Sequence, residues 1–373
     1  MSERPGPSDR PDQLVFGQPL MPHPEDFARL LDPVFRSSRL TNGGTLHNRL
    51  EAELSRDFGA TVCLVSSGTM AVMMALRLGG LRMGGEVITS PLSFAASVQA
   101  IAWCGLRPVF ADVEPAYATL CAQAVEQAIT PQTVAILAVH FQGIACDVAA
   151  LADVARRHGL WLVFDAAQAP DIQVAGKSIC LWGDASTISL HATKLLNTSE
   201  GGAVVLRDPA QAVALARMRN FGLEQGRMTG PGINGKMSEL HAAFGLAVLP
   251  RVAAETEARA QLRRWYDAAL AGVPDLGLLR PRPGTTESHL YYTLVLPPDL
   301  RPAVIAALRA VDVLPRQPFP LLGIPGNDGE LRPIRNPTIA EGLAGRYLSL
   351  PLHSDMGRAG VERVSQAVRS VLR

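Results

Sequence analysis

The sequence predicts an α/β protein: a large domain with a mostly parallel sheet between helices, followed by a smaller α+β domain. Three observations carry this. Near-continuous apolar runs of strand length recur from VCLV at 62–65 to AVVL at 203–206. Segments with apolar residues at helical spacing lie between most of them, the rhythm of βαβ units whose sheet is covered on both faces. Beyond residue 250 strands and helices mix without that rhythm. The expected division is therefore 1–250, with a polar, proline-rich flexible arm over 1–20, and 251–373.

Each element has its own warrant. From Pro24 to Phe58 the pattern is helical, broken by the turn Thr41-Asn42-Gly43-Gly44 and stopped at Gly59. VCLV reads as a short buried strand, followed by Ser66-Ser67-Gly68-Thr69 and the amphipathic AVMMALRLGG. Strand, glycine turn and helix start make an anion site, because the first helical N–H groups lack partners and carry partial positive charge. Ser67 or Thr69 also suits an N-cap there. Next come a strand at Val87–Thr89, a helix at about Phe94–Cys104 and a strand at Pro108–Ala111. TVAILAV is a further strand with His140 at its end, and DVAALADVARRHG the helix after it. A helix ending at Arg219, the loop NFGLEQGRMTGPGINGK and the helix SELHAAFGLAVL, stopped by Pro250, complete the first domain. The second opens on a charged amphipathic helix from Arg251 to about Leu270. A strand at His289–Leu296, a helix at Pro302–Ala310, a proline- and glycine-rich loop at Pro315–Pro337 and a helix at about Gly360–Leu372 follow.

Composition narrows the function. The 373 residues are 47% hydrophobic and 18% charged, with 35 basic against 34 acidic residues and a net charge of +1. No bulk field is available to attract nucleic acid or an anionic membrane. Five cysteines without a CxxC pair fit a reducing compartment, and eight scattered histidines without HExxH or zinc-like spacing give no metal site. The N-terminus lacks an apolar signal core, and the longest charge-free run, Val87 to Leu106, contains Pro91 and Gln99 and reads as strand, loop and helix. A soluble, cytoplasmic protein is expected. Gly230 to Lys236 matches the first seven positions of GxxxxGK[ST], but Met237 follows and no apolar strand precedes, so triphosphate binding is rejected.

The chemistry gathers between Trp161 and Ala203. WLVF ends in Asp165 with Gln168 three residues on, and STISL passes through Ser189 with Lys194 five residues later. Strand carboxyl ends of a parallel sheet open onto a crevice, where Ser67, Phe94, His140 and Asp165 all fall. A lysine between two strands with a carboxylate from a neighbouring strand is the pair a pyridoxal phosphate enzyme needs: the amine forms a Schiff base, and the carboxylate keeps the pyridine nitrogen protonated. A structural ion pair would use the same two residues; the order of elements around them favours the cofactor. Phe94, just beyond a strand end, is placed to stack on a cofactor ring.

With these pieces in order, the sequence resembles the sugar aminotransferases of the DegT/DnrJ/EryC1/StrS family, which have the aspartate aminotransferase fold (fold type I). The resemblance runs from about Leu40 onward through LVSSGTMAVMMAL, GGEVITSPLSFAAS, GLRPVFADV, AITPQTVAILAVH, VFDAAQAP, SLHATKLLNTSEGGAVV and GINGKMSELHAAFGL. It implies that Lys194 forms the Schiff base and then shuttles a proton, that Asp165 pairs with the pyridinium nitrogen, and that Gln168 bonds the ring hydroxyl. Gly68, Thr69, Met70 and Ser189 are implied to hold the phosphate and Phe94 to stack on the ring. Asn234 stands where the family's asparagine reaches the phosphate of a neighbouring subunit, which implies a homodimer with shared active sites. Many relatives have tyrosine where this chain has Gln142, arginine where it has Lys236, and further aromatics where it reads RQPFPLLG. These positions lie toward the substrate. The implied reaction passes an amine from L-glutamate, through pyridoxal and pyridoxamine phosphate, to a keto carbon of a dTDP- or UDP-linked deoxysugar. A sugar dehydratase of the same family, amination of a cyclitol or aminoglycoside ketone, and a non-catalytic pyridoxal-binding regulator are the other readings. Relatives that dehydrate carry histidine in place of the lysine, so Lys194 argues against the first.

Overall fold

The computed structural model describes residues 12–318, 321–325, 331–332 and 338–372. Seven strands form the main sheet: β1 (Thr61–Val65), β2 (Glu86–Thr89), β3 (Arg107–Phe110), β4 (Thr133–Val139), β5 (Trp161–Asp165), β6 (Ala185–Ser189) and β7 (Gly202–Leu206). Their order across the sheet is β1-β7-β6-β5-β4-β2-β3. Only β7 runs against its neighbours β1 and β6; the remaining pairs are parallel. An antiparallel pair can be closed by a short connection, whereas parallel strands need a long crossover. The single reversal therefore confines residues 190–201, with Lys194, to a tight loop at the sheet's edge.

The continuous apolar runs are explained by burial on both faces. In β1, Val62 and Leu64 face a core shared with helices α2 (Thr45–Phe58), α6 (Val148–His158) and α8 (Glu239–Val248). Cys63 and Val65 face a second core under α3 (Gly68–Leu78), α4 (Ala95–Trp103) and α7 (Pro209–Met218). Two further helices of the N-terminal portion, α1 (Pro24–Ser37) and α5 (Ala122–Ala128), contribute Val34 and Val125 to the first core.

The C-terminal portion has its own core. Helices α9 (Val252–Leu270), α10 (Arg301–Ala310) and α12 (Gly357–Val371) pack Tyr266, Leu308 and Val364 against the antiparallel strands β8 (Gly277–Leu278), β9 (Tyr292–Val295) and β10 (Tyr347–Leu350). Leu14 joins this core, because Leu14–Val15 pairs in parallel with Val313–Leu314. The flexible arm expected over 1–20 is thus corrected: its described part is anchored from Leu14, and residues 1–11 lie outside the described residues. Two partly buried carboxylates pin the two portions together. Asp112 accepts the N–H groups of Ile339 and Ala340 at the start of α11 (Thr338–Ala344), both at 3.0 Å. Asp171 accepts the Ser288 hydroxyl at 3.0 Å and the His289 N–H at 2.9 Å.

Most element boundaries fall within three residues of the sequence reading. It missed α5 (Ala122–Ala128), α11, β8 and β10, and a two-stranded hairpin pairs Leu223–Glu224 with Arg227–Met228 inside the glycine-rich loop. Short elements carry too few periodic positions to stand out. The loop expected at Pro315–Pro337 falls partly outside the described residues. No described helix is long and apolar enough to cross a membrane.

Candidate active site

The site begins at the turn between β1 and α3. Ser67 caps α3, its hydroxyl accepting the Met70 N–H at 3.1 Å. That uses the Met70 amide, so the earlier amides of Gly68 and Thr69 are the ones left for an anion. Close packing forces glycine at 68, where a Cβ would come within 2.9 Å of the Ser189 Cβ. Gly202 is under the same constraint, since a Cβ would lie 2.5 Å from the Ser67 carbonyl oxygen. The turn, the end of β6 and the start of β7 are therefore pressed into one cradle. Ser189 presents its side chain there.

Asp165 ends β5 and lies beside β6 in register with Thr187. Its carboxylate is buried, and Oδ1 accepts the Ala167 N–H at 2.9 Å and the Thr187 hydroxyl at 3.4 Å. Burial raises its pKa above the ordinary value, while the Ala167 bond and the Lys194 charge oppose that. Both bonds fall on Oδ1, leaving Oδ2 to bond a ligand.

Gln168 is oriented by its neighbour. Its Oε1 accepts the backbone N–H of Gln142 at 2.8 Å, so the amide nitrogen is the end left to donate. Gln142 adopts a left-handed backbone, φ 52°, and its own Oε1 accepts the hydroxyls of Thr293 at 2.9 Å and Ser349 at 2.8 Å. A residue of the cleft is thus tied to the C-terminal sheet through Gln142.

Lys194 stands on the 190–201 loop, which is stapled across its base. Ala192 N–H bonds the Ser199 carbonyl at 2.7 Å, Thr198 N–H the Leu190 carbonyl at 2.8 Å, and Lys194 N–H the His191 carbonyl at 2.8 Å. The Asn197 side chain donates to the Leu20 carbonyl at 3.0 Å, fixing the loop to the N-terminal segment.

One cleft of about 230 Å³ collects Gly68, Thr69, Phe94, Asp165, Gln168, Ser189 and Lys194. Phe94 precedes α4 at its N-cap position. Three positions singled out from the sequence do not line this cleft, Asn234 among them having been expected to reach the site of a neighbouring subunit. The Met70 side chain lines a different groove of about 570 Å³, together with Trp103 and Ile233. Asn234 is exposed and outside its own chain's cleft, and is held by a backbone bridge to Asn220. His140 is fully buried outside the cleft, stacked on Phe164 at 5.2 Å, with Nδ1 accepting the Cys146 N–H at 3.1 Å. Burial depresses its pKa to about 3, so the ring is neutral.

The cleft also contains residues the sequence reading did not single out, above all Tyr291 and Arg316. Both come from the C-terminal portion, and no spacing relative to Lys194 marks them. Tyr291 lies inside the strand predicted at His289–Leu296, and Arg316 opens the stretch RQPFPLLG that the resemblance places toward the substrate.

The residues fit pyridoxal phosphate: a cradle that one Cβ would fill, a buried carboxylate oxygen for a ring N–H, an amide donor for a ring oxygen, and a lysine amine share one cleft.

Residues 23–369 match the DegT/DnrJ/EryC1/StrS aminotransferase family. The chain is 31% identical to the dTDP-4-amino-4,6-dideoxy-D-glucose transaminase of Shigella dysenteriae, covering 96% of this chain and 99% of that protein. It is 33% identical to the GDP-perosamine synthase of Caulobacter vibrioides, over 82% of this chain and 84% of that one. Among solved structures, that of DesI in the presence of its TDP-sugar product superposes with a TM-score of 0.89 at 32% identity, covering 98% of this chain and 94% of that one. The similarity spans both portions of the fold and every block that builds the cleft: this chain belongs to the DegT/DnrJ/EryC1/StrS aminotransferase family.

Proposed function

We propose that this chain is a pyridoxal phosphate-dependent aminotransferase that moves an amino group from L-glutamate to a keto carbon of a dTDP- or UDP-linked deoxysugar. The convergence of Lys194, Asp165 and Gln168 on a cleft floored by the Gly68 cradle carries the reading. The cofactor, when bound, supplies the electron sink for charge left on the substrate carbon. The Gly68 and Thr69 amides and the Ser189 hydroxyl would hold its phosphate. Asp165 Oδ2 would keep the ring nitrogen protonated, and the Gln168 amide would donate to the ring oxygen. Lys194 would anchor the cofactor through its amine; released from it, Nζ takes the proton from one carbon and returns it to another, the general base and acid of both half-reactions.

The site is proposed to be shared between two copies. Asn234 is exposed outside its own cleft, beside a groove where Met83, Trp103 and Ile233 are exposed. A contiguous apolar surface of this kind is usual where protein meets protein. The relatives named above act on dTDP-, GDP- and TDP-linked sugars, which supports the substrate class.

Borohydride reduction of the yellow protein should fix the cofactor to one peptide containing Lys194, and glutamate should convert bound cofactor to the pyridoxamine form. A screen of nucleotide-linked keto sugars should then give an aminated product. Attachment at Lys177 or Lys236 would overturn the site assignment. Conversion by glutamate without amination of any nucleotide sugar would leave the aminotransferase reading and remove the substrate class.

A further inference from the structure

The antiparallel pairing of β6 with β7 continues past the ends of the two strands. Gly202 pairs with Ser189. Beyond them, Leu190 N–H bonds the Gly201 carbonyl at 2.9 Å and Ala192 N–H bonds the Ser199 carbonyl at 2.7 Å. This register sets His191 opposite Glu200 at the base of the loop that carries Lys194. Side chains alternate along an extended chain, so His191 follows Ser189 onto the cleft side while Ile188 and Leu190 enter the core. His191 and Glu200 both line the cleft, and neither holds the cofactor or moves a proton in the reading given above.

Local bonds fix which atoms the pair offers. His191 Nδ1 accepts the Thr193 N–H at 3.2 Å and lies 3.0 Å from the Thr193 hydroxyl. A ring nitrogen that accepts an N–H carries no hydrogen of its own, so the imidazole hydrogen sits on Nε2. Nε2 lies 3.7 Å from Glu200 Oε1. That separation is too long for a hydrogen bond, yet a single oxygen about 2.8 Å from each atom spans it. A donor and an acceptor thus face one point in the cleft, and the two side chains are 46% and 58% exposed, open to a ligand.

We propose that His191 and Glu200 form a sugar-binding pair, in which one hydroxyl of the hexose accepts from His191 Nε2 and donates to Glu200 Oε1. A hydroxyl does both at once. An ammonium group only donates and a keto oxygen only accepts, while phosphates and carboxylates are repelled by the Glu200 charge. The pair therefore selects the neutral, hydroxyl-bearing ring over the diphosphate and over the amino donor. Lys194 N–H bonds the His191 carbonyl at 2.8 Å, so this grip and the reacting amine belong to the same turn. The inference rests on the nucleotide-sugar reading for its ligand.

The test uses cofactor-loaded protein and probes that have neither keto nor amino group on the hexose: dTDP-glucose, its singly deoxygenated analogues and dTDP, with the UDP series alongside, titrated by calorimetry. Wild type should bind one deoxygenated analogue about tenfold more weakly than the parent. Glu200→Ala and His191→Asn should bind that analogue and the parent equally, with the affinity for dTDP retained. Asparagine at 191 keeps an acceptor for the Thr193 N–H and removes only Nε2, so its effect reports the hydroxyl contact and not the shape of the turn. If one variant fails to fold or load cofactor, the other still decides. Discrimination that survives in the folded variants, or is absent from wild type, overturns the proposal. An equal fall for dTDP and its glucose conjugate does the same, since the pair would then serve the nucleotide. A wild-type protein that binds no nucleotide or nucleotide sugar would instead remove the substrate class on which the inference rests.

Discussion

Gln142 donates its backbone N–H to Gln168 Oε1 at 2.8 Å, and this bond decides which end of the Gln168 amide faces the cleft. The same residue holds Thr293 and Ser349 through its side chain. One buried glutamine therefore connects the proposed ring-binding residue to the sheet that carries Arg316. Gln142→Leu would strip a shared acceptor from two buried hydroxyls, at a cost of about 1–3 kcal/mol. Urea denaturation should show that loss, and the visible band of bound cofactor should shift because Gln168 is less firmly held. An unchanged midpoint and an unchanged spectrum would show that the connection contributes nothing.

Asp165 is a carboxylate in a site that disfavours charge, since burial raises its pKa. Asp165→Asn should bind cofactor but transaminate slower by several orders of magnitude, because the ring proton is no longer held. The cofactor-free variant should be at least as stable as cofactor-free wild type near neutral pH, having lost a buried charge. Activity within about tenfold of wild type would mean that another group protonates the ring.

Gly68→Ala places a methyl group 2.9 Å from the Ser189 Cβ, so β6 and the start of α3 must separate. Overpacking of this kind costs about 1–3 kcal/mol, expected here as weaker cofactor affinity. Fluorescence titration of cofactor-free protein measures it. An affinity equal to wild type would place the phosphate elsewhere.

Acid stability should depend on Glu51. Burial raises its pKa, but hydrogen bonds from His47 and Arg219 outweigh that and bring the carboxyl down to about 2 from an ordinary 4.5. His47 Nε2 lies 3.3 Å from it, and Arg219 bonds it directly and also bonds the Leu64 carbonyl. A depressed carboxyl stabilises the fold above its unfolded pKa, and that contribution is lost as pH falls from about 4.5 toward 2. Melting curves over this range should fall more steeply for wild type than for Glu51→Gln. Parallel curves would remove Glu51 from the account.

If Asn234 completes the site of a second copy, dilution that separates the copies should release cofactor. Sedimentation monitored at the visible band follows both at once, and Asn234→Ala should weaken cofactor binding without changing assembly. A monomer that keeps full cofactor and activity would refute the shared site.

Much of the large sheet was legible because its central strands are buried on both faces and most read as near-continuous apolar runs, as at Thr133–Val139. Asp165, Gln168, Ser189 and Lys194 were legible because they stand at or just beyond the ends of such runs, where a parallel sheet opens. Glycine at 68 was legible as a turn, though the Ser189 side chain that forbids any other residue there was not.

What the sequence determined by itself is local: periodicity, the turn before α3, the caps, and the blocks that carry the family. What only the tertiary structure decided is which distant segments meet. Leu14 pairs with Val313, Phe16 lies between Tyr291 and Arg316, and Gln142 reaches Thr293 and Ser349. Each contact joins residues separated by more than a hundred positions, and neither partner is unusual in its own neighbourhood. Strand pairing and side-chain packing select such partners only once both cores have formed, so no spacing in the chain records them.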